Sequence, residues 1–352
     1  MEERDYRYYL CLAGELSPIL LHRLLSLYGS AEQIYKEEKL PVSPAQERAL
    51  AAAKKRLPEA LRERDAWEKQ GLFWCSQEET AYPSRLKKLG DAPLGLFWRG
   101  RLPLEEAPSA GIIGARSCSL YGRSMAERFG GELGERGFSV ISGMARGIDG
   151  YAQAAALKKD GASFAILGCG VDICYPTSNQ NLYNELLEKG GIISEYPPGT
   201  PPLPHHFPLR NRLIAAFSDV LLVLEAREKS GTLITVDQAL EQGKEVLAMP
   251  GRVGDALSGG CNRLIREGAG LLSCCGDIYE ALGMENAAPS VRKEALPADL
   301  KPLWRLFGAV PRHVEELMDE TGCELGELSL KLLALEERGY IREVAGGSYI
   351  RC

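Results

Sequence analysis

The segment GIIGARSCSLYGRS, residues 111–124, decides how the fold is interpreted. Its apolar start has the composition of a short strand, and the glycines that follow lead into a helical pattern. A buried strand, a glycine turn and a helix are how a nucleotide-binding α/β domain begins. However, Arg116 stands where a dinucleotide-binding fold has a small neutral loop. The segment therefore leaves two possibilities, a cofactor site or a phosphate site for a larger ligand.

Short apolar runs alternate with helical patterns from this segment onward. Runs of this length and composition are typical of strands that are buried on both faces. Their alternation with helices predicts an α/β fold: an extended Rossmann-like, doubly wound, mostly parallel sheet. The predicted strands are SAGIIG (109–114), FSVISG (138–143), SFAILG (163–168), GGIISEY (190–196), DVLLVLEA (219–226), EVLAMPG (245–251) and AGLLS (269–273).

Residues 1–70 have the spacing of a helical module that is SAM-like or helix-hairpin-helix-like. Ser17 and Pro18 form a helix start signal, Gly29 ends that helix and Ser30 begins the next one. The hairpin position of the module, GELSP, contains a single glycine. We therefore favour packing or partner binding over a grip on DNA for this module.

The remaining boundaries follow from composition. Residues 71–285 are assigned to the extended Rossmann-fold domain, because the strand patterns LFWCSQ and GLFWRG directly precede the alternating region. Residues 286–298 form a predicted linker. Residues 299–352 combine three helical patterns with a hairpin signal at Gly346-Gly347, which predicts a winged helix.

Composition excludes several classes of protein. No apolar run reaches the roughly 18 residues that cross a membrane, and the acidic N-terminus lacks the apolar core of a secretory signal. We therefore expect a cytoplasmic protein without a membrane partner. The ten cysteines include no CxxC pair and only four histidines accompany them, so no metal site is predicted. A net charge of −6 argues against a surface wrapped in nucleic acid but permits a local basic pocket.

Glycines, arginines and hydroxyls recur in the loops that follow the predicted strands. Because parallel strands end at one edge of a sheet, these loops should meet there. Glycine lets backbone N–H groups approach an anion, helix N-termini add donors, and guanidinium groups bind phosphate with paired hydrogen bonds. Four arginines at one edge suit several successive phosphates. The candidate phosphate-binding residues are Gly114, Arg116, Ser117, Gly143, Arg146, Gly147, Arg210, Asn211, Arg212, Ser230, Gly231 and Thr232.

Structural alternatives exist for several of these side chains. Arg146 could form an ion pair with Asp149, which could also cap the helix that follows it, and Asn211 could cap the helix RLIAAF. A cofactor is disfavoured because the segment lacks the G-x-G-x-x-G spacing of dinucleotide folds. His205 and His206 are assigned to a loop. Candidate base-stacking residues, which could equally serve packing, are Tyr121, Tyr175 and Phe207.

Several motifs occurring in order make residues 75–282 strongly resemble the DprA/Smf family: VISGMARGIDGYAQAAAL, AILGCGVDICYPTSNQNL, LRNRLIAAFSDVLLVLEA and GCNRLIREGA. The resemblance implies a homodimeric, non-enzymatic protein that binds single-stranded DNA through its Rossmann domain. It further implies protection of incoming strands during natural transformation, strand annealing and loading of RecA, with single-strand-binding protein as a further partner. The resemblance places the candidate residues above in the DNA pocket.

Two further expectations concern alternatives to DNA binding. The segment SGTLITVDQ echoes the phosphate loop of nucleotide-monophosphate phosphoribohydrolases, the alternative function, but lacks their paired glycines and carries Thr235, Val236 and Asp237 where that group has its catalytic glutamate. In the winged helix, seven basic and ten acidic side chains from Leu296 onward give a net charge of −3. We therefore expect this domain to contact protein, or to take no part in DNA binding.

Overall fold

The computed structural model describes residues 1–14, 16–284, 296–297, 299–308, 310–337 and 340–351. Most of the predicted linker 286–298 lies outside the described residues. The chain forms two compact units, residues 1–286 and 287–352. The predicted boundary between a helical domain and the Rossmann domain at residue 70 falls inside the first unit, and it stays a prediction.

The first unit is built on a nine-stranded sheet of order β1-β2-β6-β5-β4-β3-β7-β8-β9. Strands β3 to β9 are parallel, whereas β2 pairs antiparallel with both β1 and β6. All seven strands predicted after residue 108 are present, which confirms the doubly wound sheet. The strands are β1 Leu72–Ser76, β2 Gly95–Gly100, β3 Ser109–Ile113, β4 Ser139–Ser142, β5 Ala162–Ile166, β6 Gly191–Ser194, β7 Val220–Val223, β8 Glu245–Ala248 and β9 Gly270–Leu271.

Helices cover both faces of this sheet, so the strands are buried on both sides. Ile112 packs with the helices of one face and the next residue, Ile113, with those of the other, as the period of two in a strand requires. The helices are α1 Glu3–Leu12, α2 Pro18–Tyr28, α3 Ala31–Lys36, α4 Pro44–Glu68, α5 Ser84–Lys87, α6 Leu120–Glu135, α7 Ile148–Lys158, α8 Gln180–Lys189, α9 His206–Phe217, α10 Gly231–Glu241, α11 Gly259–Arg266 and α12 Cys275–Ala281.

The predicted signals at the N-terminal helices are confirmed. The Ser17 hydroxyl accepts a hydrogen bond from Leu20 N, Gly29 ends α2 at a φ of 81°, and Ser30 caps α3. Side chains of α1 to α4 share one hydrophobic cluster with the sheet, in which Tyr8 packs against Trp74 at 5.0 Å between ring centroids. The helical module is therefore anchored to the sheet by a continuous core.

The second unit has the winged-helix architecture that the sequence predicts. Its elements are α13 Lys301–Arg305, β10 Arg312–His313, α14 Val314–Thr321, α15 Leu325–Glu337, β11 Ile341–Ala345 and β12 Ser348–Arg351. The predicted hairpin is formed by β11 and β12, which pair antiparallel, and β10 pairs with β12 from the other side. Leu317, Leu328 and Leu335 are fully buried in its own core.

The strand order reverses at β3, which has β4 on one side and β7 on the other. In an open α/β sheet the ligand cleft lies beyond the carboxyl ends of the strands at such a reversal. The loops after β3, β4, β5 and β7 meet at this point.

Candidate nucleic-acid interface

A cleft of about 470 Å³ lies at the strand reversal. Ten of the twelve candidate residues line this cleft or the cavity that adjoins it, because they follow strands that end here. Those that line the cleft are Gly114, Arg116, Arg210, Asn211, Ser230, Gly231 and Thr232, and those added by the adjoining cavity are Ser117, Gly143 and Arg146.

Gly147 lets two of these loops approach each other closely. It has a φ of +78°, and a Cβ there would lie 2.2 Å from the Ala115 carbonyl oxygen. Ile148 N donates to that same oxygen at 3.2 Å, which joins the loop after β3 to the start of α7. Only glycine fits a position that combines positive φ with backbone contact. Gly147 thus shapes the site and also begins α7 as its N-cap.

The loop after β4 is held in a strained shape by hydrogen bonds with two side chains. Met144 has a φ of 54°, which is uncommon for a residue other than glycine. Its N–H donates to Gln153 Oε1 at 3.0 Å, and its carbonyl accepts from Asn179 Nδ2 at 3.0 Å. Met144 itself is fully buried. These bonds fix the loop that carries Gly143 and Arg146, and neither Gln153 nor Asn179 was singled out by the sequence.

Arg210 forms the floor of the cleft and is 5% exposed. Its Nη1 donates to the carbonyl oxygens of Gly143, at 3.2 Å, and Ile166. Burial lowers the pKa of Arg210 to about 10, and the opposite charge of Asp149 works against that shift. Burial likewise raises the pKa of Asp149, opposed by Arg210. The guanidinium is thus fixed by backbone oxygens and balanced by a buried carboxylate.

Asp149 and Asn211 do not have the roles that the structural alternatives from the sequence gave them, an ion pair with Arg146 and the capping of helices. Asp149 accepts from Gly143 N at 3.1 Å and lies in the first turn of α7, where Gly147 is the N-cap. Arg146 is exposed, and its Nε donates to Ser178 Oγ at 3.2 Å. Asn211 lies inside α9, so it does not cap that helix. These side chains therefore serve the loops at the cleft.

Aromatic rings and guanidinium groups lie against one another from the floor of the cleft to its mouth. The rings of Tyr175 and Phe207 are 5.4 Å apart at an angle of 32°. Arg116 Cζ lies 5.7 Å from the Phe207 ring centre and Arg210 Cζ lies 5.9 Å from it. Tyr175 is 40% exposed, so it is open to a base. The third candidate stacking residue, Tyr121, is exposed in the first turn of α6 and does not line this cleft.

A second cleft of about 620 Å³ continues from the first one. Arg116 borders both, and a cavity lined by Arg146, Tyr175 and Phe207 lies between them. The second cleft adds Tyr151 and Lys158 of α7 to the candidates Ser117, Arg146 and Gly147. Together the clefts make a track of exposed cations and aromatic rings along the ends of the strands.

The prediction that Arg212 binds phosphate with the other candidates is wrong, because Arg212 lines neither cleft. Its Nη2 lies 2.7 Å from Glu195 Oε2 and its Nε 2.8 Å from Asp91 Oδ2. Burial acts to lower the pKa of Arg212, but the two carboxylates outweigh it and raise that pKa. Residues two apart on a helix point about 200° apart. Arg212 therefore neutralises the largely buried Glu195 and the partly exposed Asp91 behind the site.

Helix N-termini supply further hydrogen-bond donors at this edge. Ser230 is the N-cap of α10, and its hydroxyl accepts from Thr232 N at 3.2 Å. Thr232 Oγ1 donates to the Gly114 carbonyl at 3.4 Å, which ties this helix to the loop after β3. The N-termini of α7 and α10 both face the cleft, so their dipoles favour an anion there.

The sequence profile described as DNA recombination-mediator protein A matches residues 74–283. The chain belongs to this family, DprA/Smf, whose members include proteins named DNA processing protein DprA and Protein Smf. A second profile, the DprA winged helix domain, matches residues 287–347. The family assignment made from the sequence motifs is thereby confirmed.

Relatives of this DprA/Smf chain agree in sequence and in fold. Protein Smf of Escherichia coli is 37% identical over 280 residues, covering 77% of this chain and 75% of Smf. DprA of Streptococcus pneumoniae is 40% identical over 200 residues, covering 57% of this chain and 71% of that protein. The solved structure of S. pneumoniae DprA aligns with a TM-score of 0.66 at 33% identity, covering 80% of this chain and 98% of that one.

A structure of DprA from Helicobacter pylori, described for its unique single-stranded DNA binding mode, aligns with a TM-score of 0.54. It is 30% identical and covers 59% of this chain and 95% of its own. Within the described residues, no helix of this DprA/Smf chain has both the length and the apolarity of a membrane span.

Proposed function

We propose that this protein binds single-stranded DNA along the two clefts at the strand reversal. The observation that carries the proposal is the track itself, in which the exposed guanidiniums of Arg116 and Arg146 flank the Tyr175–Phe207 ring pair. Single strands are held by a cationic groove along the backbone and by stacking of bases on aromatic rings. Both elements tolerate any sequence, so binding is not sequence-specific.

The proposal gives the arginines different tasks. Arg116 and Arg146 are exposed and can meet phosphates, whereas Arg210 is buried and orients the loop at Gly143. Arg210 acts as a positioning residue that adds positive potential from below. The candidates Gly114, Ser117, Asn211, Ser230, Gly231 and Thr232 belong to the proposed DNA surface, and Arg212 does not.

Titration of labelled oligo-dT tests this proposal. We expect Arg116→Ala and Arg146→Ala each to weaken binding and, if each side chain neutralises one phosphate, to reduce the slope of log K against log salt by about 0.7. The control is Arg56→Ala, which removes the same charge from an exposed, ion-paired position on α4. Unchanged affinity in the Arg116→Ala/Arg146→Ala double variant would mean that the Rossmann domain is only a scaffold.

The cellular role that we propose is protection of incoming single strands, annealing and loading of RecA, by a cytoplasmic homodimer that also meets single-strand-binding protein. Support comes from the family assignment and from the cationic track along the strand ends. RecA filament formation on DNA coated with single-strand-binding protein should be faster with the wild type than with the Arg116→Ala/Arg146→Ala variant. Equal rates would contradict the proposal.

We propose no enzymatic activity. At the position of the phosphoribohydrolase glutamate, α10 carries the buried Thr235 and the exposed Asp237. Incubation with nucleoside monophosphates should release no free base. Release that depends on Asp237 would establish the alternative function.

The winged helix is proposed to contact protein rather than DNA. On α15, Leu330 and Leu333 are 70% and 52% exposed, where a DNA-reading helix would present polar or basic groups to the major groove. The acidic side chains around them repel phosphate. A chain ending at Met284 should therefore bind oligo-dT as the full chain does, and loss of that binding would contradict the proposal.

A further inference from the structure

The N-terminus of α6 is the place where a dinucleotide-binding fold seats the pyrophosphate of its cofactor. It directly follows the turn after β3, at the strand reversal, and a helix leaves its first N–H groups without an intrahelical partner. Here the Ser119 hydroxyl caps α6 by accepting from Gly122 N at 3.0 Å. In this chain that phosphate position at the N-terminus of α6, the nucleotide seat, is occupied by a side chain of the protein itself. Glu225, just beyond the end of β7, accepts hydrogen bonds from Ser119 N at 2.9 Å and from Ser119 Oγ at 2.5 Å.

The backbone of α6 is shaped to the Glu225 carboxylate. A Cβ on Gly122 would lie 2.3 to 2.6 Å from the carboxyl carbon and oxygens of Glu225, so only glycine leaves them room. Glu225 is 4% exposed. The carboxylate therefore lies directly against the first turn of the helix, in the space that a ligand phosphate would need.

The negative charge of Glu225 excludes a ligand phosphate from the nucleotide seat, as its volume does. A helix N-terminus attracts an anion through its N–H groups and its dipole. Here a carboxylate of the chain already satisfies that attraction, so a second anion would meet repulsion without the compensating donors. The cations that remain available, Arg116 and Arg146, are exposed and lie along the track.

We infer that Glu225 is a specificity-determining residue that closes the nucleotide seat of this Rossmann domain. Free mononucleotides and dinucleotides then cannot place a phosphate at the N-terminus of α6, whereas a polymer makes many weaker contacts along the track. The contacts of Glu225 are internal to the chain, so the inference holds whether or not the track binds DNA.

Thermal unfolding of the full chain with added inorganic pyrophosphate or ADP tests the inference. Exposed arginines of the track also attract pyrophosphate, so the comparison is with the wild type: we expect the Tm of Glu225→Ala to rise by about 3 °C more than that of the wild type, at a pyrophosphate concentration about ten times the Kd of the variant. Glu225→Gln keeps the seat filled and should show no rise beyond that of the wild type. The matched control is Glu228→Ala, which removes the same charge from a neighbouring exposed position.

Three results would overturn the inference: a pyrophosphate or ADP shift in the wild type as large as that in Glu225→Ala, no shift in Glu225→Ala, or equal shifts in Glu225→Ala and Glu228→Ala. If Glu225→Ala does not fold in chloride, refolding in acetate or phosphate decides, because an anion that enters the seat restores the missing partner. Recovery in those salts supports the inference, and failure in all of them overturns it. Failure of oligo-dT binding, by contrast, would refute only the proposed function.

Discussion

Replacing Gly122 by alanine places a methyl group against the Glu225 carboxylate. The three nearest atoms to the new Cβ all belong to that carboxyl group, at 2.3 to 2.6 Å. The carboxylate has to move, and doing so breaks one or both of its hydrogen bonds to Ser119. A hydrogen bond to a charged group contributes about 1.5–3 kcal/mol, and alanine inside a helix gains about 1 kcal/mol over glycine. We therefore expect a net loss of about 2 kcal/mol.

The effect of Gly122→Ala on the free energy of unfolding should change sign when Glu225 is also replaced by alanine. In the Glu225→Ala background the clash is absent, so Gly122→Ala should stabilise the chain by up to about 1 kcal/mol. Gly122→Ala should thus differ by about 3 kcal/mol between the wild-type and Glu225→Ala backgrounds. This difference is the coupling free energy between the two substitutions, and it is large for neighbouring residues. Calorimetric unfolding of the full chain measures it, with each kcal/mol moving Tm by about 2–4 °C.

Gly131 provides the matched control because it lies in the same helix. A Cβ there would make only ordinary contacts, the nearest at 3.6 Å from Lys159 Cγ, so Gly131→Ala should be neutral or stabilising. Should Gly122→Ala cost no more than Gly131→Ala, or cost the same with and without Glu225, then the carboxylate is not seated on the helix as described.

Three further predictions concern the surroundings of the site. Arg212→Met leaves the largely buried carboxylate of Glu195 and the partly exposed carboxylate of Asp91 without their partner, so denaturant unfolding should show a loss of about 3 kcal/mol, while the folded variant keeps its affinity for oligo-dT. Burial lowers the pKa of His206. The unfolded chain then takes up the proton first, so stability should fall as the pH drops below about 6.5, and the fall should be shallower in His206→Asn. Duplex DNA should bind the full chain no more tightly than the chain ending at Met284, and a clear difference in a gel-shift titration would contradict the protein-contacting role of the winged helix.

The fold was predictable because its signals are local. Each buried strand is a short apolar run, and the helix signals at Ser17, Gly29 and Ser30 depend on backbone geometry that neighbouring residues determine. The meeting of the loops followed from the sheet topology alone, since all parallel strands end at one edge.

The contacts within the site were less predictable, because they join residues far apart in sequence. No residue near Arg212 in the sequence indicates that it pairs with Glu195 and Asp91. The segment Arg210-Asn211-Arg212 does not indicate which arginine faces the cleft. The helical period of 3.6 residues could have warned that Arg210 and Arg212 point apart. For Glu225, the hint was a carboxylate directly after a fully apolar strand, at the edge where all the other polar loops gather.

Arginine side chains have three different roles at this edge of the sheet, and their exposure to solvent distinguishes these roles. Arg212 is buried against two carboxylates, so it has no free charge to offer a ligand. Arg210 is buried against backbone oxygens and a single carboxylate, and its remaining field reaches the cleft. Arg116 and Arg146 remain exposed, so in the proposed function they exchange water and ions for phosphate at little desolvation cost. A chain with a net charge of −6 can therefore hold a polyanion through a few exposed cations, provided that its own carboxylates near the cleft are already engaged, as Glu225 and Asp149 are.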